Sequence, residues 1–194
     1  MALTALSTPW RIHDVVPRSV ANGPGQRFTI WSQGCPLACP GCFNPGTHAG
    51  TGGVTRSVGE LVDAVLDVTD IEGVTLTGGE PLEQPRAVAV FCAELRARTD
   101  LGVIVLTGFT RAEIEADQEK LAAVAAVDLV VAGRYNRRRR VAAGLRGSAN
   151  KMYWDRTGRY PPSALEPVPA MEVILGVDGT VTVTGMVAPG RIDS

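Results

Sequence analysis

The sequence has no long apolar run, no excess of charge of either sign, and few cysteines and histidines. Its apolar stretches, such as Val127 to Ala132, fall far short of the roughly 20 residues that a bilayer-spanning helix needs. No basic-then-apolar segment of the secretory kind opens the chain. Nineteen Lys and Arg stand against 20 Asp and Glu, a formal net charge of −1. No overall field therefore draws the chain to nucleic acid or to an anionic membrane, and any such binding would need a local patch. These absences predict a soluble, cytoplasmic protein with neither a membrane nor a nucleic-acid partner. Disorder is excluded as well: 45% of residues are hydrophobic, 20% are charged, and the 22 Gly and 13 Pro are scattered rather than gathered in a tract. At 194 residues the chain suits one domain with a sizeable core.

What is present is rhythm. Residues 1 to about 26 carry turn signals and read as irregular, ending in Asn22-Gly23-Pro24-Gly25. Arg27 to Ser32 reads as a strand and stops just before the first cysteine. Ser57 opens a helix through a capping box with Glu60, with Val58, Leu61, Val62, Val65 and Leu66 on one face. Gly73 to Leu76 is a second strand, followed by Thr77-Gly78-Gly79-Glu80-Pro81 and a helix from about Pro85 to Arg98. Val103 to Leu106 and Val127 to Val131 give two more strands, and a second capping box, Thr110 with Glu113, opens the helix between them. Strands alternating with helices predict an α/β fold whose parallel sheet is joined by right-handed crossovers. A closed eight-unit barrel takes about 250 residues, so the expected architecture is a partial (βα) barrel. Residues 133–170 read as an Arg-rich, then Pro-rich connection, and Met171 to Val187 as a β-hairpin appendage turning at Asp178-Gly179. Residues 1–150 form the expected core and 151–194 an extension of the same domain.

Chemistry concentrates in the loops. Cys35, Cys39 and Cys42 lie within eight residues, and Cys92 stands fifty further on. In a reducing compartment such crowding means metal or redox chemistry rather than disulfides. Three thiolates at this spacing can hold one metal centre and leave a position open. A structural zinc site completed by Cys92 or a histidine is one reading. An iron–sulfur cube with one iron left to a small molecule is the other.

Cys35-Pro-Leu-Ala-Cys39-Pro-Gly-Cys42 after the first strand, with Gly78-Gly79-Glu80-Pro81 after the second, resembles the paired signatures of radical S-adenosylmethionine (SAM) enzymes. Gly23-Pro24-Gly25-Gln26-Arg27, Gln33-Gly34, Phe43-Asn44-Pro45, Thr107-Gly108-Phe109 and Arg146-Gly147-Ser148-Ala149-Asn150 follow in the same order as in activating enzymes of the anaerobic ribonucleotide reductase and other glycyl-radical type. The resemblance spans roughly residues 20 to 150, with Lys151 standing where that branch usually has Gln.

It implies that Cys35, Cys39 and Cys42 bind a 4Fe–4S cluster and that SAM chelates the open iron. Gly78, Gly79, Glu80 and Pro81 would meet the methionine amine, Gly41 and Phe43 would flank the adenine, and Asn44 and Thr107 would complete the cofactor site. It implies reductive SAM cleavage to a 5′-deoxyadenosyl radical that abstracts hydrogen, with the cofactors supplying all the catalytic groups. The implied substrate is a backbone glycine of a glycyl-radical enzyme such as anaerobic ribonucleotide reductase, entering through the barrel's open side. A peptide or small metabolite is the alternative substrate, and a zinc-bound interaction module is the alternative of another class. The implied electron donor is a protein such as flavodoxin or ferredoxin. Outside the site, Cys92 reads as a small core residue, His13 and His48 as isolated, and Asp128 as a carboxylate that hydrogen-bonds a loop backbone or serves function. The run from Arg134 to Arg146 reads as a solvated charge cluster or a dock for an acidic or phosphate-bearing partner.

Overall fold

The computed structural model describes residues 5–186. Seven strands form one sheet in the order β3-β1-β2-β4-β5-β6-β9. They are β1 (Pro9–Ser19), β2 (Arg27–Ser32), β3 (Val54–Ser57), β4 (Gly73–Gly78), β5 (Gly102–Leu106), β6 (Leu129–Ala132) and β9 (Met152–Asp155). The four central strands β2, β4, β5 and β6 run parallel, as the strand–helix rhythm predicts. β1 and β3 add antiparallel at one flank and β9 at the other. The sheet is open, a partial barrel.

The sheet's two faces are covered differently. Helices α1 (Val58–Leu66), α2 (Pro85–Arg98), α3 (Arg111–Ala116) and α4 (Gln118–Ala123) follow β3, β4 and β5. Both expected capping boxes form: the side chains of Ser57 and Thr110 accept from the backbone of Glu60 and Glu113, whose carboxylates accept from the cap backbones in return. Val58, Leu61, Val62 and Val65 of α1 and Val88, Phe91, Cys92 and Leu95 of α2 are buried against one face of the sheet, with Trp10, Phe28, Val74, Leu76, Val103 and Val105. Each large side chain so buried contributes about 1.5–3 kcal/mol. Cys92 is fully buried and its thiol is pushed up to about 12 by burial. It stays a protonated core residue.

A second core occupies the concave face. Ile104, Leu106, Leu129 and Val131 meet Leu145, Tyr160, Leu165, Val168 and Met186, so the chain beyond residue 140 covers the inside of the barrel as the helices cover the outside. Among the described residues no helix is long and apolar enough to cross a membrane.

Two expectations need correction. Residues 1–26 are not irregular throughout, because β1 occupies Pro9–Ser19. It buries Trp10, Ile12 and Val16, but its register with β2 shifts after Ile12 and again after Val16. Bulges of this kind break the two-residue alternation that marks a strand, and Pro17 sits within the second shift. Nor is 133–170 a bare connection. It forms the hairpin β7 (Arg140–Ala143) and β8 (Arg146–Ser148), strand β9, and the short helix α5 (Pro162–Leu165). Three- and four-residue elements carry too few positions to show a period.

The terminal hairpin β10 (Met171–Leu175) and β11 (Val181–Gly185) forms as expected, with Val187 outside the described residues. Glu172 Oε2 fastens it to the first loop, accepting from Ser19 Oγ at 2.7 Å and Val20 N at 2.9 Å. Asn22 Nδ2 donates to Thr184 Oγ1 at 2.7 Å. Asp128 proves to be a joint rather than a site. Its carboxylate accepts from Val103 N, Arg96 Nη2 and Thr157 Oγ1, each at 2.8 Å. Burial opposes its ionisation, and those hydrogen bonds outweigh it and hold the group below the usual range.

Candidate functional site

The loops leaving β2, β4 and β5 at their carboxyl ends meet over the concave face, where open parallel sheets place ligands. The loop after β2 carries the cysteines. It is anchored at its start, Gly34 N donating to Thr47 O at 2.8 Å and Cys35 N to His48 O at 3.0 Å, and folded back at its end, Cys42 N donating to Cys39 O at 3.1 Å. Ala38 and Gly41 take left-handed backbone conformations that reverse the chain between the thiols. Cys35, Cys39 and Cys42 are half-buried and line one cleft with Trp31, Phe43, Asn44, Thr77, Gly78, Gly79, Glu80, Thr107 and Lys151.

The two glycines after β4 have a steric cause. Gly78 N and Gly79 N belong to a loop pressed onto the cysteine loop: Gly79 N donates to Ser32 O at 2.8 Å and Glu80 N to Gly34 O at 2.9 Å. A Cβ at Gly79 would collide with the carbonyl oxygens of Gly34 and Thr47. Only glycine allows this loop-to-loop contact.

Glu80 is buried, and its carboxylate is fully engaged. Oε1 accepts from Thr107 Oγ1 at 2.7 Å and Leu82 N at 3.0 Å, and Oε2 accepts from Gly108 N at 2.7 Å. Burial pushes its pKa up, while those three donors and Lys151 pull the other way. Glu80 thus ties the loop after β4 to the loop after β5. Thr107 extends the chain of contacts, its carbonyl accepting from Lys151 Nζ at 2.9 Å. Lys151 lines the cleft; burial pushes its pKa down, while the charges of Glu80, Cys39 and Cys42 favour its ammonium form.

An aromatic wall stands opposite. Phe43 and Tyr135 meet edge to face at 5.3 Å between ring centres. A Cβ on Gly147 would lie 2.8 Å from the Phe43 ring, so that glycine makes room for it. Leu106, Leu145 and Met186 close the cleft with apolar surface.

Of the sequence-predicted residues, Cys35, Cys39, Cys42, Phe43, Asn44, Gly78, Gly79, Glu80 and Thr107 line the cleft. Gly41 instead lies on the exposed side of the cysteine loop against the Arg137 side chain, and Pro81 is buried behind Glu80 at the start of a 3-10 turn. Sequence reasoning did not place Trp31, Asn22, Tyr135, Leu145, Gly147, Lys151 and Met186 in the cleft. Two of them carried a signal, Gly147 as part of the Arg146-Gly147-Ser148-Ala149-Asn150 pattern and Lys151 as a departure from it. His13 is not isolated, its Nδ1 sharing a hydrogen bond with Gln33 Oε1 at 2.8 Å.

The donor set fits an iron–sulfur cluster. Burial raises the Cys35 thiol pKa, and Glu80, Cys39 and Cys42 raise it further, a crowding of negative charge that a cationic metal core relieves. Among the described residues no three His, Cys, Asp or Glu side chains gather on a single-ion site. Three thiolates lining one cleft suit a cluster whose remaining iron is left to a small molecule. The larger hollow, about 660 Å³ between Leu66, Asp70, Glu72, Asp100, Arg159 and Tyr160, lies at the opposite end of the sheet and holds no thiol.

The family model for a 4Fe-4S single cluster domain matches residues 21–154. Anaerobic ribonucleoside-triphosphate reductase-activating proteins are similar over most of their length. That of Vibrio cholerae is 33% identical over 149 residues, 72% of this chain and 94% of that protein, and that of Pasteurella multocida is 31% identical over 71% and 92%. The pyruvate formate-lyase-activating enzyme of Listeria monocytogenes is 38% identical over 79 residues, 38% of this chain and 32% of that one. Among solved structures, QueE from Escherichia coli aligns over 56% of this chain and 57% of that one at 16% identity, with a TM-score of 0.48.

Proposed function

Because the chain belongs to the 4Fe-4S single cluster domain family, as one of its radical SAM activating enzymes, we propose that it installs a glycyl radical on a partner such as an anaerobic ribonucleotide reductase. The observation that carries this reading is the meeting of three cysteines with the Gly78-Gly79-Glu80 loop in one cleft at the carboxyl ends of β2 and β4.

When bound, a 4Fe–4S cluster and SAM supply one-electron cleavage of a sulfur–carbon bond and hence a hydrogen-abstracting radical. Cys35, Cys39 and Cys42 would hold the cluster, three thiolates to four irons. Gly78 and Gly79 let the second loop lie against the first. Glu80 fixes the backbone of Gly108 and the hydroxyl of Thr107, so two loops present one rigid rim. Lys151 sets a positive charge beside the thiolates, suited to a ligand carboxylate. Phe43 and Tyr135 offer a stacking face to a nucleobase, and Leu106, Leu145 and Met186 exclude water from a reactive radical.

Anaerobically purified protein should contain iron and sulfide and form 5′-deoxyadenosine from SAM with dithionite. Cys39→Ala should abolish that product. Unchanged formation sinks the cluster assignment. A glycyl-radical paramagnetic resonance signal that appears only on adding an anaerobic reductase supports the partner, whereas sustained SAM turnover on a small metabolite alone overturns it.

A further inference from the structure

We propose that the four arginines Arg137–Arg140 form the docking surface for a small acidic electron-transfer protein. The inference rests on the cluster reading above and adds to it the route by which the electron arrives. Arg137, Arg138, Arg139 and Arg140 are all exposed. Among the described residues none has an ion-pair partner, whereas Arg134, three residues earlier, is bound to Glu113 at 2.8 Å. In a molecule of net charge −1, four uncompensated guanidinium groups on one loop form a local positive field that the composition as a whole conceals.

The loop is built rather than loose. Asn136 Oδ1 accepts from Arg138 N at 3.0 Å and Asn136 N donates to Ser148 Oγ at 3.1 Å. Arg139 N donates to Asn136 O at 2.9 Å, and Ala149 N to Arg139 O at 2.7 Å. The guanidinium groups therefore project from a framework fixed to β8, and little backbone order is lost on docking.

Its position suggests what it meets. A hollow of about 590 Å³ joins Arg137 and Arg138 to Pro40 and Gly41, between Cys39 and Cys42. A Cβ on Gly41 would lie 2.8 Å from Arg137 Cδ. The patch thus borders the outer side of the cysteine loop, and a partner seated there faces the thiols across one turn of backbone. A protein whose glycine must reach the cleft interior gains nothing from that side; a donor of electrons does. Nucleic acid is disfavoured because the loop's aromatic residue, Tyr135, is buried against Phe43 in the wall of the cleft, so the patch presents no exposed ring on which successive bases could stack. In the step served, a reduced flavoprotein or iron–sulfur donor loses one electron and the cluster gains it, with no bond formed or broken.

The test uses the reconstituted holoprotein and, as probe, a flavodoxin of strongly negative net charge in its hydroquinone form. In Arg138→Glu/Arg139→Glu, cluster reduction followed by visible bleaching should slow roughly tenfold or more at low salt, as electrostatic steering predicts, and flavodoxin affinity by calorimetry should fall in parallel. The wild-type rate should drop with added salt and the variant's should not. Arg138→Lys/Arg139→Lys should retain most of the rate, and dithionite-driven 5′-deoxyadenosine formation should be unchanged in both variants. Unaltered flavodoxin-driven reduction in the Glu variant overturns the proposal. So does a matching loss with dithionite, or a dithionite-driven glycyl radical yield on the reductase that falls while flavodoxin reduction holds, since that assigns the patch to the substrate. Failure of wild-type protein to cleave SAM with dithionite would instead remove the function reading itself.

Discussion

Glu80 does more at the scale of single residues than a carboxylate beside an amine would do. Its three hydrogen bonds, to Thr107, Leu82 and Gly108, convert two flexible loop ends into one rim. Glu80→Gln keeps the shape but turns an amide NH₂ toward one of those donors. Hydrogen bonds to a charged group contribute about 1.5–3 kcal/mol, so a roughly 10- to 100-fold loss of SAM cleavage is expected. Iron and sulfide content should stay at the wild-type level, and a parallel loss of iron would show that Glu80 supports the cluster loop instead. The Gly-Gly-Glu motif was legible in the sequence because each residue type fits one physical need. Lys151 was visible only as a departure, and Leu145 and Met186 not at all, because their place depends on β8 and the final hairpin folding back into the barrel.

Among the elements, the loops leaving β5 and β6 are joined by an ionic clamp at the start of α3. Glu113 accepts from Thr110 N at 2.7 Å and from Arg134 Nη1 at 2.9 Å, and the same Arg134 Nη1 donates to Gly108 O at 2.5 Å. The Thr110 cap, with Arg134, lowers the Glu113 pKa from 4.5 to about 2. A depressed carboxyl pKa stabilises the folded state above the ordinary range, and that contribution is lost as pH falls from about 4.5 toward 2. Because the pair is exposed, the effect is about 1 kcal/mol or less. Glu113→Gln should lower urea-unfolding stability at pH 7 by that amount, and the gap to wild type should narrow below about pH 4.5 and close only near pH 2. A gap independent of pH would mean the clamp acts through shape alone. The four parallel strands and both capping boxes could be read in advance, since buried runs and N-terminal signals are local. β1 could not, because its bulges shift the face presented by each successive residue.

The molecule as a whole is held at its base by a buried cation. Arg27 is completely buried and donates to Thr75 Oγ1 at 2.7 Å, Val74 O at 2.7 Å, Gly102 O at 2.8 Å and Tyr160 Oη at 2.9 Å. It pins β2, β4 and β5 to the segment beyond β9. Tyr160→Phe keeps the ring that lies 5.3 Å from the guanidinium carbon and removes one charged hydrogen bond, for an expected loss of about 1.5–3 kcal/mol in anaerobic denaturant unfolding. SAM cleavage by the folded variant should persist, because Tyr160 lines the hollow at the far end of the sheet, and a selective loss of cleavage would show that the base and the cleft communicate. The partial barrel was legible from strand count and length. The covering of its concave face by the terminal third was not, because those apolar residues are sparse and separated by prolines. That covering also bears on the order of synthesis. Lys151, Met186 and the strand β9 beside β6 leave the ribosome after every cysteine has emerged. Until they do, the thiols stand on a half-walled shelf, and the chamber closes around a guest only after the segment through Met186 has been made.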